Sequence, residues 1–367
     1  MKYARMPIEI ESPEQMGYDA VKFNLTESSF SDQVLGKLEL DLDNLVLCYG
    51  DHLGKRELRE LLAREHGVSP DEIIITAGEA PALFIVATTF LEKGDHLLVE
   101  HPNYATNIET PRAIGAEVEF IPLDFEKGFQ PDLADLERRI RPSTRYISVT
   151  TPHNPTGTLL TRASLDALVA LAERKGICLL VDETYRDMDF ERTSPLAATL
   201  SPRVISVASL SKSYGLPGIR IGWLINRDPK LLEKFLAAKE QIFICGSVVD
   251  EEIACRYLKD RQARFALIKE EILGKRRILQ EWYKSQSRLE WVAPAAGVVC
   301  FPRIKANCKV NPADFYARLN DHYKTFVGPG HWFEMDKRYM RIGYGWPKEA
   351  ELREGLKNIS SCLEDLA

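Results

Sequence analysis

A strand, a helix and a second strand are indicated by residues 146–185, which read YISVTTPHNPTGTLLTRASLDALVALAERKGICLLVDETY. The apolar runs Tyr146–Thr150 and Ile177–Val181 have the length and composition of buried strands. Between them, Thr161–Lys175 has helical periodicity and is followed by Gly176, a residue typical of a helix end. Two buried strands joined by a helix usually pair in parallel, so this stretch predicts a βαβ unit of a covered sheet.

The same alternation continues on both sides of this unit. We predict further strands at Ile73–Thr76, His96–Val99, Glu117–Pro122 and Val204–Ala208, and a helix at Pro81–Glu92. Helical patterns dominate from Pro229 to Tyr283, and residues 269–283 are strongly amphipathic.

The composition changes near Arg288 and indicates a second, smaller domain. We predict strands at Val298–Phe301, Thr325–Val327 and Tyr339–Gly343, and helices at Pro312–His322 and Lys348–Leu366. The fold class is therefore α/β, with a three-layer αβα large domain on a mainly parallel, mixed sheet and a smaller α+β domain. We expect the large domain at residues 46–285 and the small domain at residues 1–45 and 286–367.

Composition and charge exclude several classes of protein. The 367 residues are 45% apolar and 28% charged, which is ordinary for a globular protein and too apolar for intrinsic disorder. The net charge of −6 argues against a general nucleic-acid binder. The seven scattered cysteines form no C-x-x-C motif, and we expect reduced thiols in a cytoplasmic protein. The N-terminal residues resemble no signal peptide, and we expect no membrane segment.

Polar residues follow four of the predicted strands at the point where each strand ends. The segments are Ala77-Gly78-Glu79-Ala80, Thr151–Gly157, Asp182–Tyr185 and Ser209–Arg220. In an open α/β sheet, ligands bind outside the carboxyl ends of the strands. Each segment alone is a weak signal, but together and in this order they predict a binding site at that edge.

These segments resemble the fold type I pyridoxal-phosphate enzymes, and among them the class I and II aminotransferases. The matching motifs are Asn154-Pro155-x-Gly157, Asp182-Glu183-x-Tyr185, Ser209-x-Ser211-Lys212, Gly218-x-Arg220-x-Gly222 and a late Arg341. The resemblance extends over nearly the whole chain. It implies the fold described above and pyridoxal 5′-phosphate as the cofactor.

The resemblance also implies roles for the residues that hold the cofactor ring. Lys212 would form the Schiff base and then act as the base at the substrate Cα, which requires a lowered pKa. Asp182 would keep the ring nitrogen protonated. Asn154 and Tyr185 would bind the ring's phenolate oxygen, and Tyr104 would stack on the ring.

The cofactor's phosphate and the substrate carboxylate have their own predicted partners. Backbone amides of Gly78, Glu79 and Ala80 and the side chains of Ser209, Ser211 and Arg220 would bind the phosphate. Tyr49 matches a tyrosine that reaches the phosphate of a neighbouring subunit, which implies a homodimer with shared active sites. Arg341 matches the arginine that binds the substrate carboxylate. The resemblance also assigns Asn154 to the substrate-binding residues.

Two departures from the family pattern bear on the site. Family members usually have a small residue where Glu79 stands, and we expect its side chain to point away, with only its N–H used. The N-terminal segment Phe23–Phe30 lacks the usual glycine. If this segment lines the pocket, Thr26, Glu27 or Ser28 faces the substrate side chain.

The motifs bind a cofactor without fixing the reaction. The first interpretation is an aminotransferase that uses an L-amino acid and a keto acid, with no metal, nucleic acid or membrane partner. The alternative is a cyclase or lyase acting on a hydroxylated arginine, because residues 211–218, 301–303 and 340–343 resemble capreomycidine-synthase-like enzymes. Acidic residues would then hold the guanidinium, with Glu27, Glu9 and Asp187 as candidates. A non-catalytic regulator is the remote alternative, disfavoured because no DNA-binding segment precedes the pattern.

Overall fold

The computed structural model describes residues 1–38, 40, 42–191 and 194–367. Its strands are β1 (Phe23–Leu25), β2 (Ile73–Thr76), β3 (His96–His101), β4 (Glu117–Pro122), β5 (Thr144–Thr150), β6 (Cys178–Asp182), β7 (Val204–Ser209), β8 (Gly222–Ile225), β9 (Leu289–Glu290), β10 (Val299–Cys300), β11 (Arg303–Ile304), β12 (Thr325–Pro329) and β13 (Met340–Gly343).

The helices alternate with these strands through the middle of the chain. They are α1 (Pro7–Glu11), α2 (Pro13–Met16), α3 (Arg56–His66), α4 (Glu79–Phe90), α5 (Thr106–Ile114), α6 (Leu133–Arg139), α7 (Arg162–Lys175), α8 (Pro229–Ile242), α9 (Val248–Lys259), α10 (Arg261–Lys284), α11 (Pro312–Asp321) and α12 (Glu349–Asp365). Among the residues described, no helix combines the length and apolar character needed to cross a bilayer.

The central sheet has seven strands in the order β2-β8-β7-β6-β5-β3-β4. Strands β3 to β7 pair in parallel, whereas β8 runs antiparallel to both β7 and β2. Only β8 therefore runs against the others. The mainly parallel, mixed sheet of the prediction is confirmed.

Helices cover both faces of this sheet. On one face, Leu97, Tyr146 and Leu180 pack with side chains of α4 and α8. On the other face, their sequence neighbours Leu98, Ile147 and Leu179 pack with α7. Because successive strand residues point to opposite faces, an apolar residue at every position buries the sheet on both sides. This arrangement is the three-layer αβα architecture.

A second sheet of four strands has the order β1-β12-β13-β10. The N-terminal strand β1 pairs in parallel with β12, and Phe23 lies opposite Thr325. Helix α12 packs against this sheet through buried Leu352, Leu356 and Ile359. The pairing of β1 with β12 supports our proposal that residues 1–45 and 286–367 form one small domain beside a large domain at 46–285.

The sequence did not predict four short strands, β1, β8, β9 and β11, or the helices α1, α2, α3, α5 and α6, and the predicted start of one helix was shifted. Strand β8 was not predicted, because its four residues directly follow a glycine-rich motif and no turn signal marks where the strand begins. Helix α4 begins at Glu79 and not at Pro81, since Gly78 already forms its N-cap.

All seven cysteines lie among the described residues and are free.

Candidate active site

The four polar segments of the sequence meet at one edge of the central sheet. Strand β2 is antiparallel to β8, which is antiparallel to β7, so β2 and β7 point the same way. The carboxyl ends of β2, β5, β6 and β7 therefore lie at the same edge. A cavity of about 270 Å³ opens there.

Most of the predicted site residues line this cavity. They are Glu9, Thr26, Glu27, Ser28, Glu79, Ala80, Tyr104, Asn154, Asp182, Tyr185, Ser209, Ser211, Lys212, Arg220 and Arg341. Gly78, Tyr49 and Asp187 do not contribute to the wall. Sequence reasoning missed Ile8, Ser12, Pro13, Glu14, Thr184, Pro217 and Trp332, which complete it.

Lys212 lies three residues beyond the end of β7 and is partly buried. Its carbonyl oxygen accepts a hydrogen bond of 2.9 Å from the backbone N–H of Phe30. Burial lowers the pKa of the Lys212 amine; the charge of Glu27 opposes this shift and that of Arg341 adds to it. An amine with a lowered pKa is a nucleophile and a base, as a carbonyl cofactor requires.

Asp182 and Tyr185 flank the turn after β6. The carboxylate of Asp182 is 3% exposed, and its Oδ1 accepts a 3.1 Å hydrogen bond from the N–H of Thr184. The Tyr185 hydroxyl donates to the carbonyl oxygen of Ser28 at 2.7 Å, and burial raises the pKa of this hydroxyl. A buried carboxylate in a cavity suits a protonated ring nitrogen, which is what pyridoxal phosphate offers.

The start of helix α4 has the chemistry of a phosphate site. Its N-cap Gly78 has φ of +90° and provides no side-chain cap, so the first amides of this 12-residue helix are open to an anion. A Cβ on Gly78 would lie 2.3 Å from Nη2 of Arg220. Arg220 also donates from Nη1 to Ser211 Oγ at 3.3 Å. Open amides beside a guanidinium and a hydroxyl fit a phosphate dianion.

Arg341 comes from β13 and is buried, with 4% of its surface exposed. Nη1 donates to Oδ1 of Asn154 at 3.2 Å, and Nη2 donates to the carbonyl oxygen of Thr26 at 2.7 Å. Its Nε has no hydrogen-bond partner among the described residues. A buried guanidinium with an open donor is suited to a carboxylate of the substrate.

Our expectation for Glu79 was wrong. The side chain does not point away but lies in the cavity wall facing Asp182 and Thr184, and 9% of the residue is exposed. Burial and then the charge of Asp182 raise the pKa of Glu79 well above its usual range. The reason is positional: Glu79 is the first residue of α4, which packs on β7 and β8 and so places the carboxyl near the end of β6.

Three acidic residues form one side of the cavity, which we call the acidic wall: Glu9, Glu14 and Glu27. Oε1 of Glu27 accepts hydrogen bonds from Tyr18 and Asn24 at 3.3 and 3.4 Å. Burial and then the charge of Glu14 raise the pKa of Glu27. The acidity of the N-terminal segment was visible in the sequence, but its path over the cavity was not, and Glu14 was missed for that reason.

Asp187 has a structural role, contrary to its candidacy for the substrate. Its carboxylate accepts hydrogen bonds from the Tyr214 hydroxyl and, at 2.6 Å, from Arg261 Nη2. The chain turns at Arg186–Met188 directly after Tyr185 and carries Asp187 away from the cavity.

Tyr49 is 83% exposed and lies outside the cavity of its own chain. Tyr104 lies in the cavity wall, and burial raises the pKa of its hydroxyl to about 12.

Three features together define a fold type I pyridoxal-phosphate enzyme: the sheet, the cavity at its carboxyl edge, and the phosphate site formed by the start of α4, Ser211 and Arg220. The family described as aminotransferase class I and II matches residues 26–359. Capreomycidine synthase of Streptomyces vinaceus is 30% identical over 94% of this chain and 91% of its own. Arginine–pyruvate transaminase of Pseudomonas aeruginosa is 28% identical over 87% of this chain and 83% of its own.

Solved structures agree with this assignment. A pyridoxal-phosphate-dependent aminotransferase from Streptococcus suis superposes with a TM-score of 0.92 at 28% identity, over 100% of this chain and 99% of that one. The protein belongs to the class I and II aminotransferase family. It is an enzyme of that family, and its cofactor is pyridoxal phosphate.

Proposed function

We propose that the protein is an aminotransferase for an L-amino acid with a cationic side chain. The observation that carries this proposal is the acidic wall, which lies in the same cavity as Lys212 and Arg341. Glu27 is only partly exposed, and a carboxylate that is partly removed from water binds a guanidinium or ammonium group more strongly than exposed ones such as Glu9 and Glu14 do. The name of one relative described above supports the choice, since it is a transaminase of arginine.

In the proposed mechanism, the guanidinium of Arg341 binds the substrate carboxylate. Asn154 fixes the orientation of this guanidinium by accepting a hydrogen bond from it. When bound, the cofactor supplies an acceptor for the electrons released at the substrate Cα. Lys212 would hold the cofactor through Nζ and, once its amine is free, would take the proton from Cα and donate it again in the following step. Water would then release the keto acid, which ends the first half of a transamination.

The proposal is tested by comparing arginine with citrulline, which has the same shape but no charge. We expect the holoenzyme to convert arginine with a kcat/KM at least about tenfold above that for citrulline, the value of one charge-assisted hydrogen bond. Formation of the keto acid is followed by mass spectrometry with pyruvate as acceptor. Equal use of both amino acids would contradict a cationic substrate.

Glu27→Gln tests the acidic wall itself. The variant keeps the size of the side chain and removes its charge, so the preference for arginine over citrulline is expected to fall about tenfold. Asp19→Asn is the control, because Asp19 is an exposed acid of the same segment that does not line the cavity. If both variants changed the preference equally, the effect would come from net charge and not from the site.

The second candidate is a cyclase or lyase acting on a hydroxylated arginine, favoured by the match to capreomycidine synthase over nearly the whole chain. The acidic wall fits this substrate equally well. The two reactions differ in their products: a cyclase or lyase releases water from hydroxyarginine, and transamination yields a keto acid. Mass spectrometry of the reaction with hydroxyarginine separates them.

We also propose that the protein is a homodimer with shared active sites and works in the cytoplasm. Val46, Leu47 and Tyr49 are 71%, 77% and 83% exposed, and neighbouring apolar residues with such exposure typically mark a protein interface. Because Tyr49 is remote from its own cavity, it is free to complete the phosphate site of a partner.

A further inference from the structure

Two buried carboxyl groups from different elements meet in the cavity. Asp182 ends β6 and Glu79 begins α4, and the two residues are 3% and 9% exposed. The carboxylate of Asp182 accepts the N–H of Thr184. In contrast, Oε1 of Glu79 and Oγ1 of Thr184 have no hydrogen-bond partner within the part of the chain that is described.

Two adjacent carboxyl groups that are shielded from water do not both carry a charge at little cost. A hydrogen bond donated by a backbone N–H stabilises the charged form, and Asp182 has one. Glu79 lacks such a donor at Oε1, and burial and Asp182 raise its pKa by more than Thr184 and Lys212 lower it. The proton of the pair therefore belongs on Glu79.

We propose that Glu79 stays protonated in the working enzyme and donates a hydrogen bond to Asp182. One negative charge, and not two, then faces the ring nitrogen of the cofactor. Glu79 is thus a positioning residue for Asp182. The proposal concerns the cofactor site of the family and does not depend on which amino acid is the substrate.

The neutral form also resolves the conflict that Glu79 poses for phosphate binding. An ionised carboxylate at the first position of α4 would repel a phosphate bound to the amides of the same turn. A neutral one leaves these amides and Arg220 to the phosphate. The titratable and charged groups that face Glu79 are Asp182, Lys212, Tyr104, Tyr185 and, behind Gly78, Arg220.

Infrared difference spectroscopy tests the protonation directly. We expect the wild-type protein at pH 7, with and without cofactor, to show a protonated-carboxyl C=O band that Glu79→Gln removes. Glu100→Gln is the matched control: burial raises the pKa of Glu100 to about 8, and this side chain accepts the N–H of Thr150 away from the cavity. That variant is expected to lose its own band and keep that of Glu79. Absence of a Glu79 band would overturn the proposal.

Cofactor affinity supplies the second readout, without turnover. Pyridoxamine 5′-phosphate is the probe, because it has no aldehyde to react with Lys212. We expect wild type and Glu79→Gln to bind it equally at pH 7. At higher pH, once Glu79 ionises, wild type is expected to bind about tenfold more weakly.

A tenfold advantage of the variant already at pH 7 would show an ionised Glu79 and overturn the proposal. Equal binding at pH 7 together with the infrared band would support it. If Glu79→Gln does not fold, Glu79→Ala removes the same band. Both readouts hold whether the arginine test succeeds or fails.

Discussion

Arg341 connects three separate parts of the chain at the level of single side chains. It extends from β13, bonds Asn154 after β5 and bonds the backbone of Thr26 after β1. If Arg341 binds the substrate carboxylate as proposed, the buried guanidinium would fix the distance between that carboxylate and the N-terminal segment. It would thereby set where the substrate side chain lies relative to the acidic wall.

Arg341→Ala is expected to raise KM for the amino acid about 10- to 100-fold, because charge-assisted hydrogen bonds to the carboxylate are lost. Affinity for pyridoxamine 5′-phosphate is expected to change by less than about threefold, since Arg341 hydrogen-bonds Asn154 and Thr26 and not the residues of the predicted phosphate site. Steady-state kinetics and equilibrium dialysis measure the two effects. Equal loss of both would contradict a role in substrate binding.

Lys212→Ala is expected to abolish the covalent attachment of pyridoxal phosphate, and activity is expected to fall at least about 100-fold. Mass spectrometry after borohydride reduction measures the attachment. Because the pKa of Lys212 is lowered, wild type is expected to capture the cofactor at a lower pH than an exposed lysine does. Lys239→Met is the control, since Lys239 is also buried with a lowered pKa but lies outside the cavity. A reducible adduct in the Lys212 variant would refute the assignment.

Among single residues, the sequence predicted the positions of those whose chemistry is tied to a motif. Asp182, Lys212 and Arg220 each follow a strand within a recognisable pattern, and all three line the cavity. The direction of the Glu79 side chain and the participation of Glu14 depend on how α4 and α2 pack. Such packing is decided by contacts far apart in the chain, which no local pattern contains.

Among the elements, β13 lies unusually close to the loop that carries Glu27. A Cβ on Gly343, the last residue of β13, would lie 1.8 Å from the carbonyl oxygen of Glu27. The absence of a side chain at this position therefore lets the loop rest on the strand. The position of Glu27 in the acidic wall depends on this contact.

Gly343→Ala is expected to displace the Glu27 loop, to lower stability by about 1–3 kcal/mol and to reduce the preference for arginine over citrulline. Thermal unfolding and kinetics measure these effects. Gly274→Ala is the control, because a Cβ there meets nothing nearer than 3.9 Å and lies inside α10. That change is expected to raise stability by about 0.5–1 kcal/mol. An unchanged preference in Gly343→Ala would show that the loop is positioned by other contacts.

The elements that the sequence predicted best are those with a strong period. Strands β5 and β6 and helix α7 were placed within two residues, since apolar runs and the Gly176 stop mark them. Strand β8 has four residues and runs against its neighbours, and its partner β2 lies about 150 positions earlier in the sequence. Pairing at that separation leaves no signal near β8 itself.

For the molecule as a whole, the exposed segment 46–49 predicts a second copy of the chain as its partner. Leu47→Asp is expected to convert the proposed dimer to a monomer, because it would place a charge in the proposed apolar interface. The monomer is expected to bind pyridoxamine 5′-phosphate more weakly, since Tyr49 of the partner is then missing. Analytical ultracentrifugation and dialysis measure both effects.

The control for this change is Leu267→Asp on α10, where the leucine is 69% exposed. It introduces the same charge at a similar exposure and is expected to leave the assembly intact. A wild-type protein that sediments as a monomer with full cofactor affinity would contradict the shared site.

The acidic wall has a consequence for how this protein changes over generations. Glu9 and Glu14 precede the region that matches the family, which begins at residue 26, whereas Lys212, Asp182 and Arg220 lie on the central sheet or in the loops that leave it. If the acidic wall selects the substrate as proposed, mutations in the segment that carries Glu9 and Glu14 would alter which amino acid is accepted and leave the cofactor site unchanged. Relatives that share the cofactor site would then differ in their amino-acid substrate through substitutions in this N-terminal segment alone.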